Sequence, residues 1–116
     1  MASARPFVDF KLKQRKVVLF SKTYSPECST AKDILDQYNL SDVEYQVVEI
    51  EKRQDCVQIE NYLLALCLTD SRKVPLLFVE GRYIGSEQEI SLLHSSSELK
   101  QVLKGLDVFK DDQSKI

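Results

Sequence analysis

The stretch VVLFSKTYSPEC, residues 17–28, changes its pattern halfway along. Its first four residues are all apolar, as in a strand that is buried on both faces of a layered sheet. Ser25 suits the capping position of a helix, Pro26 suits the first helical position, and Glu27 favours the positive end of the helix dipole. Apolar side chains then recur at helical spacing, at Cys28, Ala31, Leu35 and Tyr38. The stretch therefore predicts a buried strand that turns directly into a helix.

Outward from this stretch, the chain keeps alternating between strand and helix patterns. Residues 43–50 alternate apolar and polar side chains as a second strand does, and residues 56–67 carry the apolar face of a second helix. The apolar run at 76–79 and the pair Tyr83-Ile84 flank Glu80-Gly81-Arg82, where glycine supplies the positive φ of a tight hairpin turn. We therefore expect two antiparallel strands to complete the sheet.

Helices are also predicted at both ends of the chain. A short helix is expected around residues 90–93, and Ser95 and Glu98 have capping-box spacing ahead of a terminal helix. A helical turn is expected over residues 7–10. The order β-α-β-α-β-β-α predicts an α/β fold, in which a mixed four-stranded sheet carries helices on both faces.

The composition is that of one folded domain. The chain has 116 residues, of which 43% are hydrophobic and 29% charged, with three glycines and three prolines. These proportions are typical of a globular protein of one domain rather than a linker. We expect a single domain over residues 1–116, with a core at about 7–106 and a polar tail at 107–116.

Charge, hydropathy and cysteine content disfavour several classes of protein. A formal net charge of −2 argues against nucleic-acid binding through phosphate neutralisation. The longest apolar runs have four residues, against the roughly 20 that a membrane span needs. The first residues show neither a signal-peptide pattern nor a myristoylation glycine, and three cysteines cannot all pair within one chain. We expect a cytoplasmic chain with reduced thiols and no membrane or nucleic-acid partner.

Three segments carry a resemblance to a known family. Residues 22–28, KTYSPEC, resemble the Cys-Pro-Tyr-Cys active-site segment of glutaredoxins and the lysine that precedes it. Residues 68–75 resemble the run that ends in Thr-Val-Pro in that family, where the proline is cis, and residues 78–85 resemble its hairpin and Gly-Gly turn. The segments follow the family order across about residues 7–106. The chain thus resembles a glutaredoxin, which implies a thioredoxin-like fold in three layers.

The resemblance also implies a site for glutathione, as co-substrate or ligand. Ser25 matches the position of the attacking cysteine, and Cys28 matches the second cysteine. The residues implied to contact glutathione are Lys22, Tyr24, Arg72, Val74, Pro75, Gly85, Ser86, Glu87 and Gln88. The backbone of Val74 is expected to pair with an extended ligand, and Lys22 to contact a ligand carboxylate. Local chemistry favours a solvated surface role for Arg72 and Lys73.

Serine at the attacking position puts the standard chemistry in doubt. Thiol–disulfide exchange needs a thiolate, whereas the hydroxyl of Ser25 stays protonated and cannot form the mixed disulfide. Cys28 continues the apolar stripe of its helix and neighbours Glu27, so we expect it to be hard to reach and disfavoured as a thiolate. Lys73 and Ser86 also depart from the Thr-Val-Pro and Gly-Gly patterns of the family. A laboratory substitution of cysteine by serine would leave the other groove positions unchanged. The several departures in one groove therefore favour Ser25 as the natural residue.

Two functions therefore stand side by side. The first is a glutathione-linked thiol–disulfide oxidoreductase of redox homeostasis whose catalysis is weak or lost, with glutathionylated or disulfide-containing proteins as partners. The alternative is a non-catalytic module, built on the same fold, that binds glutathione or a peptide. Iron–sulfur cluster handling ranks below both, because Ser25 removes a soft thiolate ligand.

The remaining candidates receive no functional role. Cys56 and Cys67 are interpreted as core positions of the second helix, and His94 as a surface residue. No metal is expected, and the chain is expected to be a monomer.

Overall fold

The computed structural model describes residues 4–68 and 73–105. Five helices and four strands follow one another in these ranges. They are α1 (Arg5–Gln14), β1 (Val17–Ser21), α2 (Pro26–Asp36), β2 (Tyr45–Glu49), α3 (Cys56–Cys67), β3 (Leu76–Val79), β4 (Arg82–Gly85), α4 (Glu87–Ser95) and α5 (Leu99–Leu103). The predicted tail, residues 107–116, lies outside the described residues.

The four strands form one mixed sheet in the order β2-β1-β3-β4. β1 runs parallel to β2, with Val17 opposite Tyr45, and antiparallel to β3, with Val17 opposite Val79. β3 and β4 form the antiparallel hairpin. The predicted α/β class and the mixed four-stranded sheet are therefore confirmed.

β1 is buried along its whole length, and its side chains alternate between two cores. Val17 and Leu19 face a cluster built from β3, α2, α4 and α5. Val18 and Phe20 face the opposite cluster, to which α1 and α3 contribute, and Phe20 meets Phe78 edge-on at 5.7 Å. The helices therefore cover both faces of the sheet, because the side chains of an apolar strand at its centre point alternately to each side.

The hairpin closes through a two-residue turn. Both Glu80 and Gly81 have positive φ, at 52° and 81°, which is the geometry of the turns that match strand twist. The sequence predicted a positive φ for the glycine alone, so the left-handed Glu80 is a finding of the structure.

The structure corrects the predicted helix starts. α1 is a helix of 10 residues rather than a turn, and its buried side chain is Val8. The capping box forms at α4, where the Glu89 carboxylate accepts the Ser86 N–H at 2.8 Å. The box predicted from Ser95 does not form, because Ser95 remains the last residue of α4 and Glu98 accepts a hydrogen bond from the Ser96 hydroxyl instead.

Within residues 4–68 and 73–105, every helix is too short or too polar to cross a membrane.

Gly85 fixes the approach of α4 to the end of β4. A Cβ added at Gly85 would overlap Glu89 Cβ and lie 2.7 Å from Glu89 Cγ. We expect Gly85→Ala to lower the free energy of unfolding by about 1–3 kcal/mol, because the added methyl group overpacks the site. Chemical denaturation measures this loss.

The matched control is Gly81→Asn. A Cβ at Gly81 would meet nothing within 4 Å, and asparagine tolerates positive φ, so we expect a loss below about 1 kcal/mol. Equal losses for the two variants would contradict the close approach of α4.

Candidate functional site

The loop between β1 and α2 lies at the carboxyl end of the central strand, where α/β folds place their sites. Ser25 caps α2: its Oγ accepts the Cys28 N–H at 3.2 Å and its own O–H donates to Glu27 Oε1 at 3.2 Å. Pro26 begins the helix, as predicted. The Ser25 hydroxyl thus has both a donor and an acceptor partner in the first turn of α2.

Cys28 is sealed inside the protein. Its exposed fraction is 0%, which confirms its predicted place in the buried stripe of α2. The Lys22 N–H lies 3.4 Å from the Cys28 sulfur and donates to it. A disulfide or other reagent therefore has no access to this sulfur while the first turn of α2 is formed.

Two carboxylates from outside the loop hold it in place. Lys22 Nζ forms an ion pair with Glu60 Oε2 at 2.6 Å, and their side chains are only 15% and 13% exposed. Its hydrogen bond to Glu60 raises the pKa of Lys22 above the ordinary value. The N–H and the hydroxyl of Thr23 both donate to Glu51, and the hydroxyl holds the pKa of that carboxyl below its usual value.

A groove of about 440 Å³ lies beside this loop. Its lining residues are Lys22, Tyr24, Ser25, Glu27, Lys73, Val74, Ser86, Glu87 and Gln88. Most residues predicted to contact glutathione therefore meet around one cavity. Glu27 and Lys73 also line the cavity, and Lys73 is exposed, as the sequence favoured.

The other predicted groove residues have different positions. Pro75 and Gly85 are buried and do not line the groove, and the Val74–Pro75 peptide is cis. Cys28 lies beneath the lining rather than in it. Arg72 lies outside the described residues.

Lys22 is the residue whose surroundings the sequence did not reveal. The sequence predicts that Lys22 contacts a ligand carboxylate, but its ammonium group already forms an ion pair with the Glu60 carboxylate. Glu60 comes from α3, which is distant along the chain, and neither its spacing nor its neighbours in the sequence signal the contact. Glu51 was missed for the same reason.

The other two cysteines are half-buried against the core cluster of α1 and α3. Burial is the main cause that raises the pKa of Cys56, and the nearby Glu60 carboxylate adds to it. Burial alone raises the pKa of Cys67 to about 11. Both side chains are therefore thiols rather than thiolates at neutral pH.

His94 is not the surface residue that the sequence suggested. Its Nδ1 lies 2.6 Å from the hydroxyl of Tyr38, and the two rings meet edge-on. His94 is half-buried and packs against Tyr38, which follows the end of α2, and its position near a helix end did not reveal this contact.

In the described part of the chain, no three His, Cys, Asp or Glu side chains converge as a metal site requires.

The architecture is that of a thioredoxin-like fold. It combines a central parallel strand pair, an antiparallel hairpin, helices on both faces of the sheet, and a capped helix beside a cis-proline. The glutaredoxin family model matches residues 17–84, which include β1, the capped helix and the hairpin as far as Ile84. The chain belongs to the glutaredoxin family.

Individual relatives agree with this assignment. Glutaredoxin-C8 of Oryza sativa subsp. japonica is 34% identical over 110 residues, which cover 95% of this chain and 78% of the relative. The crystal structure of oxidized glutaredoxin 2 from Chlamydomonas reinhardtii superimposes with a TM-score of 0.73 at 30% identity, over 90% of this chain and 96% of that one. A buckwheat glutaredoxin in complex with glutathione gives a TM-score of 0.72 at 28% identity, over 87% and 90% of the two chains.

The burial of the cysteines predicts their order of alkylation by iodoacetamide. We expect Cys56 and Cys67 to react slowly in the native chain and Cys28 to react only after unfolding. Because the pKa of Cys56 is raised, its alkylation rate should still increase with pH above 9.0, the ordinary pKa of a thiol. The alkylation rate of Cys67 should keep increasing to higher pH, because its pKa is about 11.

Peptide mapping by mass spectrometry measures each site, with a sample in denaturant as the control. Labelling of Cys28 in the folded chain as fast as that of Cys56 would show that its burial is wrong.

Proposed function

We propose that this glutaredoxin-family chain binds glutathione in the groove beside Ser25, and that its thiol–disulfide exchange is weak or lost. The observation that carries the proposal is the hydrogen bonding of Ser25. Its hydroxyl accepts from the N–H of Cys28 and donates to Glu27, so it serves as a helix cap. The proposal takes Ser25 to stand where glutaredoxins have the attacking cysteine.

Serine cannot replace that cysteine in the exchange reaction. In the reaction a thiolate attacks a disulfide sulfur, a new S–S bond forms, and the other sulfur leaves as a thiolate. The hydroxyl of Ser25 keeps its proton near neutral pH, and attack by its oxygen would form an S–O bond instead of the mixed disulfide.

Cys28 is the other sulfur near the site, and its position explains why catalysis would be slow. Attack by Cys28 requires the first turn of α2 to open, because the sulfur has no exposed surface. Opening breaks the Ser25 cap, whose loss typically costs about 1 kcal/mol, and it also exposes apolar surface. Any residual single-cysteine exchange with glutathione therefore proceeds through a rare conformation.

Binding of glutathione does not require a nucleophile. The groove volume of about 440 Å³ falls within the range of small-ligand sites. Val74 carries backbone groups that suit an extended peptide, and Ser86, Glu87 and Gln88 present the start of α4 to the same cavity. The similar fold of a buckwheat glutaredoxin in complex with glutathione supports this ligand.

We also propose a cellular setting. We place the chain in the cytoplasm, as a monomer, with glutathione and glutathionylated or disulfide-containing proteins as partners in redox homeostasis. The alternative, a module that binds glutathione or a peptide without any catalysis, is favoured by the complete burial of Cys28.

Glutathione-dependent reduction of a glutathionylated peptide tests the proposal. The chain as given and its Ser25→Ala variant should show no turnover above background. Ser25→Cys should gain activity, and Ser25→Cys/Glu27→Gln should exceed it at neutral pH by about tenfold. The reason is that Glu27 Oε1 lies 3.2 Å from Ser25 Oγ, so a carboxylate there would raise the pKa of an introduced thiol.

The three variants separate the possible failures. Turnover that persists in both the chain as given and Ser25→Ala would identify Cys28 as the nucleophile and overturn the loss of exchange. Absence of turnover in both Ser25→Cys and Ser25→Cys/Glu27→Gln would mean that the groove itself no longer supports the reaction. The binding module would then be the function.

A further inference from the structure

The ion pair between Lys22 and Glu60 is the most enclosed pair of opposite charges that the described residues form along the groove. Lys22 Nζ lies 2.6 Å from Glu60 Oε2, and both side chains are more than four-fifths buried, with 15% and 13% exposed. Charge-assisted hydrogen bonds of this length are among the strong ones, and burial protects them from screening by salt. Lys22 therefore does not face the groove as an unneutralised cation.

The packing of α3 holds Glu60 in this position. Its neighbour Ile59 is fully buried and Leu63, one turn further, is 2% exposed, so this face of the helix is fixed against the sheet. The sulfur of Cys56, one turn earlier, also approaches Glu60 Oε2 at 3.9 Å. Moving the carboxylate away from Lys22 thus requires a new side-chain rotamer of Glu60 or a displacement of a packed helix.

The other charges of the groove do not replace Lys22. Lys73 is exposed at the rim, while Glu27 and Glu87 add two carboxylates to the lining. Once Glu60 has neutralised Lys22, the charges that remain on the described lining residues are one positive and two negative. A ligand carboxylate that approaches Lys22 meets the Glu60 carboxylate already in place, and among the described lining residues Glu27 and Glu87 add repulsion.

We propose that Glu60 is a specificity-determining residue of the groove: its carboxylate occupies Lys22 and so disfavours ligands that bring a free carboxylate to that position. This inference rests on the proposed function, because it assumes that glutathione or a peptide occupies the groove. The favoured ligand class is an extended peptide segment that is uncharged at the end near Lys22. Such a segment still has the backbone of Val74 to pair with.

Isothermal titration with two ligands tests the proposal: glutathione, and glutathione with its glycine carboxylate converted to the amide. The chain as given should bind the amide at least as tightly as glutathione. Glu60→Gln should tighten glutathione binding by about tenfold, which is the effect of about 1.4 kcal/mol, and leave the amide within about twofold. Glutamine keeps the size of the side chain and a hydrogen-bond acceptor for Lys22.

Glu51→Gln is the matched control. Glu51 is another carboxylate that holds the same loop, but it binds Thr23 rather than Lys22. It should leave the preference between the two ligands unchanged. If Glu60→Gln weakens glutathione binding or changes nothing, Glu60 positions Lys22 instead of competing for it, and the proposal is wrong.

A second measurement separates this proposal from the proposed function. If no chain binds glutathione, the proposed function fails, and amine acylation of Lys22, mapped by mass spectrometry, then decides the role of Glu60. Because the bond to Glu60 raises the pKa of Lys22, Glu60→Gln should increase the fraction of neutral amine and speed acylation severalfold. Equal acylation in the chain as given and in Glu60→Gln would overturn the neutralisation of Lys22.

Discussion

The complete burial of β1 is the constraint on which the rest of the structure depends. All five of its residues are buried, and its two neighbours in the sheet are β2 and β3. Apolar side chains on both faces require a helical layer on each side, so α1 and α3 close one face while α2, α4 and α5 close the other. The chain leaves this strand at a fixed place and in a fixed direction. The loop at residues 22–25 and the start of α2 are therefore positioned by the core rather than by contacts with a ligand.

The start of α2 can serve either catalysis or helix stability, depending on one atom. A thiolate there would be stabilised by the backbone N–H groups and the helix dipole. A hydroxyl at the same place accepts the Cys28 N–H and completes the helix, without becoming a nucleophile. Glu27 reinforces the second role, because its carboxylate accepts the Ser25 hydroxyl and would disfavour negative charge beside it. The proposed loss of exchange thus follows from chemistry at a position whose geometry the fold preserves.

The same logic extends to the groove. Val74, Ser86 and Gln88 keep their places around the cavity, because strand and helix ends position them. The charges around the cavity are largely negative or paired: Lys22 is neutralised by Glu60, and Glu27 and Glu87 line the cavity. The shape of the groove therefore suits a small ligand, while its charges bear on which ligands it prefers.

Patterns local in sequence predicted much of this arrangement. The apolar run of β1, the cap at Ser25 and the burial of Cys28 each depend on neighbouring residues, and each prediction is confirmed. The ion pair of Lys22 was missed because it joins residues 38 positions apart, and only the docking of α3 brings them together. The capping box failed as a prediction for a different reason. Ser86 and Ser95 both precede a glutamate at the required spacing, and spacing alone does not show which serine begins a helix.

Reversible binding of glutathione in the groove, with Ser25 as a cap that forms no bond to the ligand, is the proposal on which the others depend. Titration of isotope-labelled chain with reduced and then oxidised glutathione, followed by amide NMR, tests it most directly. Reversible binding should give saturable shifts at Val74, Ser86 and Gln88 that reverse on dilution, with the Cys28 amide still protected by its hydrogen bond to Ser25. Absence of shifts around the groove, or a lasting adduct at Cys28 after oxidised glutathione, would contradict it.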